Sequence, residues 1–221
     1  LQAPVGNKTG ALLPTGAVVD HVAGIEVSCV DVAVPMVIVD ARSLGKTGHE
    51  PVASLEADAA FMATVRTLWT EAGLKMGLRR KDGVPMTRDE LERSETIPKI
   101  CIVGAPREGG HIAVRYFTPQ TGHASMAVSG GCCLAAACLI PGTTAHQVAR
   151  DIAAPEATFA DLHVSIENPA GRLDTTVVAA LSDGQLQIRS AAYRRSTQTL
   201  MRGHVPLYAA SSELQSALLG S

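Results

Sequence analysis

The residues best equipped for chemistry lie between positions 115 and 133. Ser129-Gly130-Gly131 opens an apolar run, and Cys132-Cys133 follows at once. A serine in that place is a good helix N-cap, and two glycines let a ligand approach the backbone N–H groups of a first turn. Such a helix start attracts carboxylate or phosphate. Arg115 and His123, just upstream, are placed to add charge or hydrogen bonds. The competing reading is structural: Ser129 only caps a buried helix, and the glycines permit close packing. The pattern leaves both open. For Cys132 and Cys133, a helix dipole would lower a thiol pKa, whereas the apolar neighbours favour small core residues.

Other motifs carry less. Leu44-Gly45-Lys46-Thr47-Gly48 resembles the end of a phosphate-binding loop, but the second glycine it needs, five residues before Gly45, is Asp40. A carboxylate there would oppose a phosphate, which excludes nucleotide binding. Asn7-Lys8-Thr9 matches a glycosylation sequon, a pattern common by chance. No His/Cys set has metal-ligand spacing, so no metal is expected; His49-Glu50 lacks the partner histidine of a zinc helix. There is no Gly-x-Ser-x-Gly elbow.

The chain that must position these residues has 221 of them, 46% hydrophobic and 18% charged, with a net charge of -2. That composition suits a globular chain with a real core and excludes a disordered one. The near-neutral balance argues against a nucleic-acid partner. No apolar run is long enough to cross a bilayer. The five cysteines (Cys29, Cys101, Cys132, Cys133, Cys138) are an odd, irregularly spaced set, read as free thiols of a cytoplasmic protein. Leu1 is no initiator methionine, and the amino end reads like the middle of something longer, a fragment or a processed product.

Hydropathy patterning predicts a mostly β chain with few helices. Ala17–Val19, Ile25–Val30 and Met36–Val39 read as strands, the last covered on both faces. From about Glu56 to Met76 the apolar residues Phe61, Val65, Leu68, Ala72 and Met76 fall on one helix face. Gly77 and the turn 79–83 end that helix, and residues 84–98 form a surface loop with a short helical piece. Lys99–Val103 and His111–Phe117 read as paired strands, as do Leu162–Glu167, Thr175–Ala180 and Leu186–Tyr193, with Asp183-Gly184 as the last turn. Cys132–Ile140 has no polar face, so a helix there must be surrounded by protein. Pro141-Gly142 stops it.

Several of these segments together resemble the PrpF family of isomerases. The matching motifs are Lys8–Gly16, Val30–Pro35, Leu44–Glu50, Pro98-Lys99-Ile100, His123 ahead of Ser129–Ala137, Ile140–Thr143, Asn168–Gly171 and Arg195–Gly203. The resemblance runs to residue 206, which sets a domain over 1–206 and a tail over 207–221. It implies an α+β, diaminopimelate-epimerase-like fold in which a β-sheet wraps a central hydrophobic helix. It also implies cofactor-independent transfer of a proton, shifting a carbon–carbon double bond in small unsaturated di- or tricarboxylic acids. The helix start at Ser129, Gly130 and Gly131, with Arg115, His123 and Thr15, becomes the candidate substrate-binding set.

The resemblance covers only the carboxyl-terminal half of the family. The family's reactive cysteine and lysine lie in the other half, so no catalytic residue is assigned here. The partner implied is the missing amino-terminal domain in cis or in trans, or else a second copy of the chain in a homodimer. Val34 and Gln198 stand where the family carries asparagine and arginine. The chain alone is therefore expected to be inactive, and the alternative to an isomerase is a non-catalytic relic or carboxylate-binding module.

Overall fold

The computed structural model describes residues 1–182, 184–194, 198–204 and 208–219. Its strands are β1 (Asp20–Val22), β2 (Ile25–Val32), β3 (Val34–Asp40), β4 (Lys99–Gly104), β5 (Ile112–Thr118), β6 (Thr121–Gly122), β7 (Ala160–Asn168), β8 (Gly171–Ser182) and β9 (Gln185–Tyr193). They form one sheet in the order β1-β2-β3-β4-β5-β7-β8-β9, with β6 attached to β5. Pairing is antiparallel except between β3 and β4 and between β5 and β7. Parallel neighbours need long crossovers. The first crossover carries α1 (Val52–Ala57), α2 (Ala59–Lys75) and α3 (Arg88–Glu92); the second carries α4 (Val128–Leu139) and α5 (Thr144–Val148).

The two crossovers cover opposite faces, because side chains alternate along each strand. Met36, Ile38, Cys101, Val103, Val114 and Tyr116 pack in one core with α4. Val37, Val39, Ile100, Ile102 and Phe117 pack in the other with Phe61, Val65, Leu68 and Ala72 of α2. Strands β3 and β4 are thus buried on both faces, which is why they read as continuous apolar runs. Helix α4 touches β2 and β3 near one end of the strand order and β7, β8 and β9 at the other. The sheet must bend around it. Every residue from Gly130 to Leu139 is buried. The result is a mixed α+β chain dominated by a sheet, and no helix among the described residues is long and apolar enough to cross a membrane.

Local physics moved several boundaries. The predicted strand at Ala17–Val19 is irregular backbone. Ala23 and Gly24, at φ 49° and 81°, turn a tight hairpin whose register brings only residues 20–22 opposite β2. The Ser28 hydroxyl then donates to the Val18 carbonyl, holding that segment outside the sheet. The long helix begins at Ala59, not Glu56, since Asp58 accepts from the Phe61 N–H as its N-cap and separates it from α1. Of the last predicted turn, Gly184 has φ 74°, while Asp183 lies outside the described residues, as do Arg195-Ser196-Thr197. A last helix, α6, spans Ser212–Leu219.

Candidate functional site

The cap of helix α4 lies two residues earlier than its sequence suggests. Ala127, not Ser129, is the N-cap, with extended backbone and no side-chain bond. The Gly131 N–H already donates to the Ala127 carbonyl at 2.9 Å. Among the described residues, the N–H groups without a partner are therefore those of Val128, Ser129 and Gly130, the orphan donors of a first turn. Ser129 is half-buried, in the first turn proper. A cap is chosen by backbone angle, and Ala127 sits at ψ 147° while Ser129, two residues on, is already helical.

The helix start opens on a cavity of about 430 Å³, lined by residues 1–4 with Asn7, Ala33, Val128 and Ser129. Ala33 holds φ 65°, a strained value for a residue with a side chain. Two bonds over-determine it: its N–H donates to Pro4 at 2.7 Å, and its carbonyl accepts from Asn7 Nδ2 at 3.1 Å. Behind it, buried Asp31 accepts from the Lys8 and Thr9 N–H groups and the Thr9 hydroxyl through one carboxylate oxygen. The loop 4–9 is thereby tied down beside the helix start.

The two glycines serve packing. A Cβ on Gly130 would stand 2.6 Å from the Tyr116 ring, and one on Gly131 2.7 Å from the Tyr193 ring. The Tyr193 hydroxyl donates to the Met126 carbonyl just before the helix. Tyr116 and Tyr193 were missed by sequence reasoning, as were Val128, Asn7 and Ala33. A buried aromatic opposite a glycine leaves no local signal in the sequence.

The remaining candidates do not all converge. His123 sits next to the helix start: its ring meets Tyr116 edge-on at 5.8 Å, and its Nδ1 accepts from the Ser125 N–H. Arg115 faces away. On β5 it alternates with Val114 and Tyr116, so it points to the face opposite α4, where its guanidinium donates to the carbonyls of His49, Glu50 and Val114. Thr15 donates to Asp20 at 2.6 Å, and Asp20 also holds Lys75 of α2. Arg115 and Thr15 are thus engaged elsewhere.

Comparison with known proteins was then decisive. The sequence model of the PrpF protein matches residues 1–208. The chain belongs to the PrpF family. It is 32% identical over 203 residues to the putative isomerase YbhH of Escherichia coli strain K12, covering 91% of this chain and 52% of that protein. It is 36% identical over 200 residues to a 4-oxalomesaconate tautomerase of Pseudomonas putida, covering 90% and 50%. The crystal structure of a methylitaconate-delta-isomerase superposes with a TM-score of 0.70 at 28% identity, over 87% of this chain and 52% of that one. The PrpF chain spans about half the length of the curated relatives it matches.

None of the five PrpF-chain thiols is free to act as a nucleophile. All are buried and unbridged. Burial pushes Cys29 up to about 12, Coulomb repulsion from Asp20 adding to it, and pushes Cys101, Cys132, Cys133 and Cys138 upward too. Cys133 donates to the Val30 carbonyl inside the core. The helix start therefore does not activate Cys132 or Cys133; burial wins over the dipole. Among the described residues no group of three His, Cys, Asp or Glu is arranged to hold a metal.

Proposed function

We propose that this PrpF chain is one half of an isomerase that moves a carbon–carbon double bond in a small unsaturated di- or tricarboxylic acid by cofactor-independent proton transfer. The observation that carries the reading is the first turn of α4, whose three partnerless N–H groups belong to a turn that borders a cavity of about 430 Å³. The helix dipole and these donors suit a carboxylate. Relatives named oxalomesaconate tautomerase and methylitaconate-delta-isomerase act on acids of that type. The proton-moving cysteine and lysine implied by the family resemblance lie outside this chain. The diaminopimelate-epimerase-like label, a domain over 1–206 with a tail over 207–221, and a cytoplasmic location belong to the same reading; the five free thiols support the last.

One observation favours the narrower alternative of a carboxylate-binding module. The cavity lining carries no side chain that can exchange a proton near neutral pH. Each charge-assisted bond contributes about 1.5–3 kcal/mol at best, so this half alone should bind at about millimolar. The test is an assay of the purified chain with aconitate, methylaconitate, methylitaconate and oxalomesaconate, alone and with the remaining half of a PrpF relative added in trans. Turnover only with the added half supports the isomerase reading. Binding of trans-aconitate without turnover in either case leaves the module, and turnover by the chain alone overturns both.

A further inference from the structure

A second cavity, of about 340 Å³, lies at the carboxyl ends of the parallel strands β3 and β4. Its lining includes Arg42, Lys46, His49, Arg107 and Arg150, and no Asp or Glu. In a chain of net charge -2, that is a local arrangement rather than a bulk surplus. His49 Nε2 lies 2.8 Å from the Ala105 carbonyl, and two of the four Arg and Lys side chains are already neutralised: Arg42 binds Asp40 at 2.6 Å and Lys46 binds Asp58 at 2.8 Å. Two are not. The Arg107 guanidinium has no partner among the described residues, although its backbone N–H is anchored on Glu167 at 2.8 Å. Among the described residues, Arg150 donates only to the carbonyls of Gln147, Val148 and Ala149, at 2.9–3.1 Å.

The acids Glu50 and Glu167 beside the cavity are held by backbone N–H groups. Glu50 accepts from the Thr47 and Gly48 N–H groups, and Glu167 accepts from those of Arg107, Glu108 and Gly110. The walls are also fixed to one another. A Cβ on Gly104 would meet the Thr47 carbonyl oxygen at 2.0 Å, so only glycine lets the 45–50 loop lie against the end of β4. The cations are thus carried on a pre-set frame, which lowers the cost of binding.

We propose that this cavity binds a compact oxyanion of at least two negative charges, a phosphate or a small polycarboxylate, between Arg107 and Arg150. The site is independent of the α4 start, which lies by the opposite ends of the same strands; the seven residues of β3 between them span about 20 Å. The Leu44–Gly48 motif forms part of its rim, and the Asp40 carboxylate that excludes a nucleotide loop is occupied by Arg42. No helix follows Lys46-Thr47 directly, since α1 begins only at Val52, so the helix start that a nucleotide-binding loop supplies is missing there.

The experiment is calorimetric titration of the purified chain with sodium phosphate and with citrate at low ionic strength, with amide NMR shifts to locate each anion. Saturable binding is expected, with shifts at Thr47, Gly104 and Arg107 that are separable from any at residues 128–130. Affinity should fall about tenfold in R107A and about a hundredfold in R107A/R150A, and it should weaken with added salt. Lys81→Ala, an exposed cation in the 79–83 turn, should change nothing. Tighter binding of one anion identifies its chemistry. No saturable binding of either, unchanged affinity in R107A, or an equal loss in K81A overturns the proposal. Both arginines are exposed, and unfolding midpoints of the variants check that the fold is kept.

Discussion

The Tyr116 ring occupies the space that a side chain on Gly130 would need, with 2.6 Å between its Cε2 and a Cβ built on that glycine. Tyr116 is fully buried and supported by the Ile112–Tyr116 stretch of β5, so it cannot give way cheaply. Gly130→Ala should therefore destabilise by about 1–3 kcal/mol, even though alanine is the better helix former by about 1 kcal/mol. Urea unfolding checks this; an equal or higher midpoint would mean that α4 has room to shift. Gly130→Asp should fail to fold stably, so it is no clean probe of ligand binding.

The Tyr116 hydroxyl is buried without a hydrogen-bond partner among the described residues. An unpaired buried hydroxyl costs stability, and replacing it with hydrogen removes that cost. Tyr116→Phe is expected to be neutral or stabilising by up to about 1 kcal/mol. A loss above about 1 kcal/mol would show that the hydroxyl is bonded in solution.

Leu134 sits in the middle of α4 with no exposure. Leu134→Ala should cost about 2–5 kcal/mol, since strands from both ends of the sheet close around this helix and cannot all collapse into the cavity left behind. A cost under 1 kcal/mol would argue that the sheet does not wrap the helix as described.

How much of this was legible in the sequence depends on whether the signal was local. Helix α4 was readable because an apolar run with no polar face has nowhere to go but inside. The buried face of α2 was readable from its period, and β3 and β4 from their nearly continuous apolar runs. The cap at Ala127 was not, because serine and alanine differ there by backbone angle. Arg115 was misplaced for a related reason: Ile112–Phe117 is buried on both faces, so alternation in polarity gives no indication of which side a residue takes. The basic cavity gathers residues 42 to 150 across a parallel crossover, a juxtaposition that only topology reveals.

Glu167 gives a pH prediction. Burial raises its carboxyl pKa, but the N–H groups of Arg107, Gly110 and Glu108 hold the charged form and leave the net value below the usual 4.5. A depressed folded-state pKa stabilises above the unfolded value, and that stability is lost as pH falls through the folded one. Wild-type stability should therefore drop below about pH 4.5, and Glu167→Gln should flatten part of that drop while costing about 1–3 kcal/mol at pH 7. Unfolding midpoints between pH 3 and 7 measure both; parallel curves for the two proteins would remove Glu167 from the acid transition.

Ser129 offers the probe of the α4 start that Gly130 cannot. It lines the cavity and is only half-buried. Ser129→Asp would place a carboxylate in the first turn, next to the partnerless N–H groups of Val128, Ser129 and Gly130. The added charge should stabilise the helix by about 0.3–1 kcal/mol through its dipole. It should at the same time occupy or repel the position of a substrate carboxylate, so binding of trans-aconitate should fall at least tenfold. The pairing of a higher melting temperature with lost affinity is the signature, because a merely damaged fold would lower both. Amide shifts at residues 128–130 on titration of the wild type, absent in the variant, complete the test. A variant that binds as the wild type does would move the carboxylate away from α4.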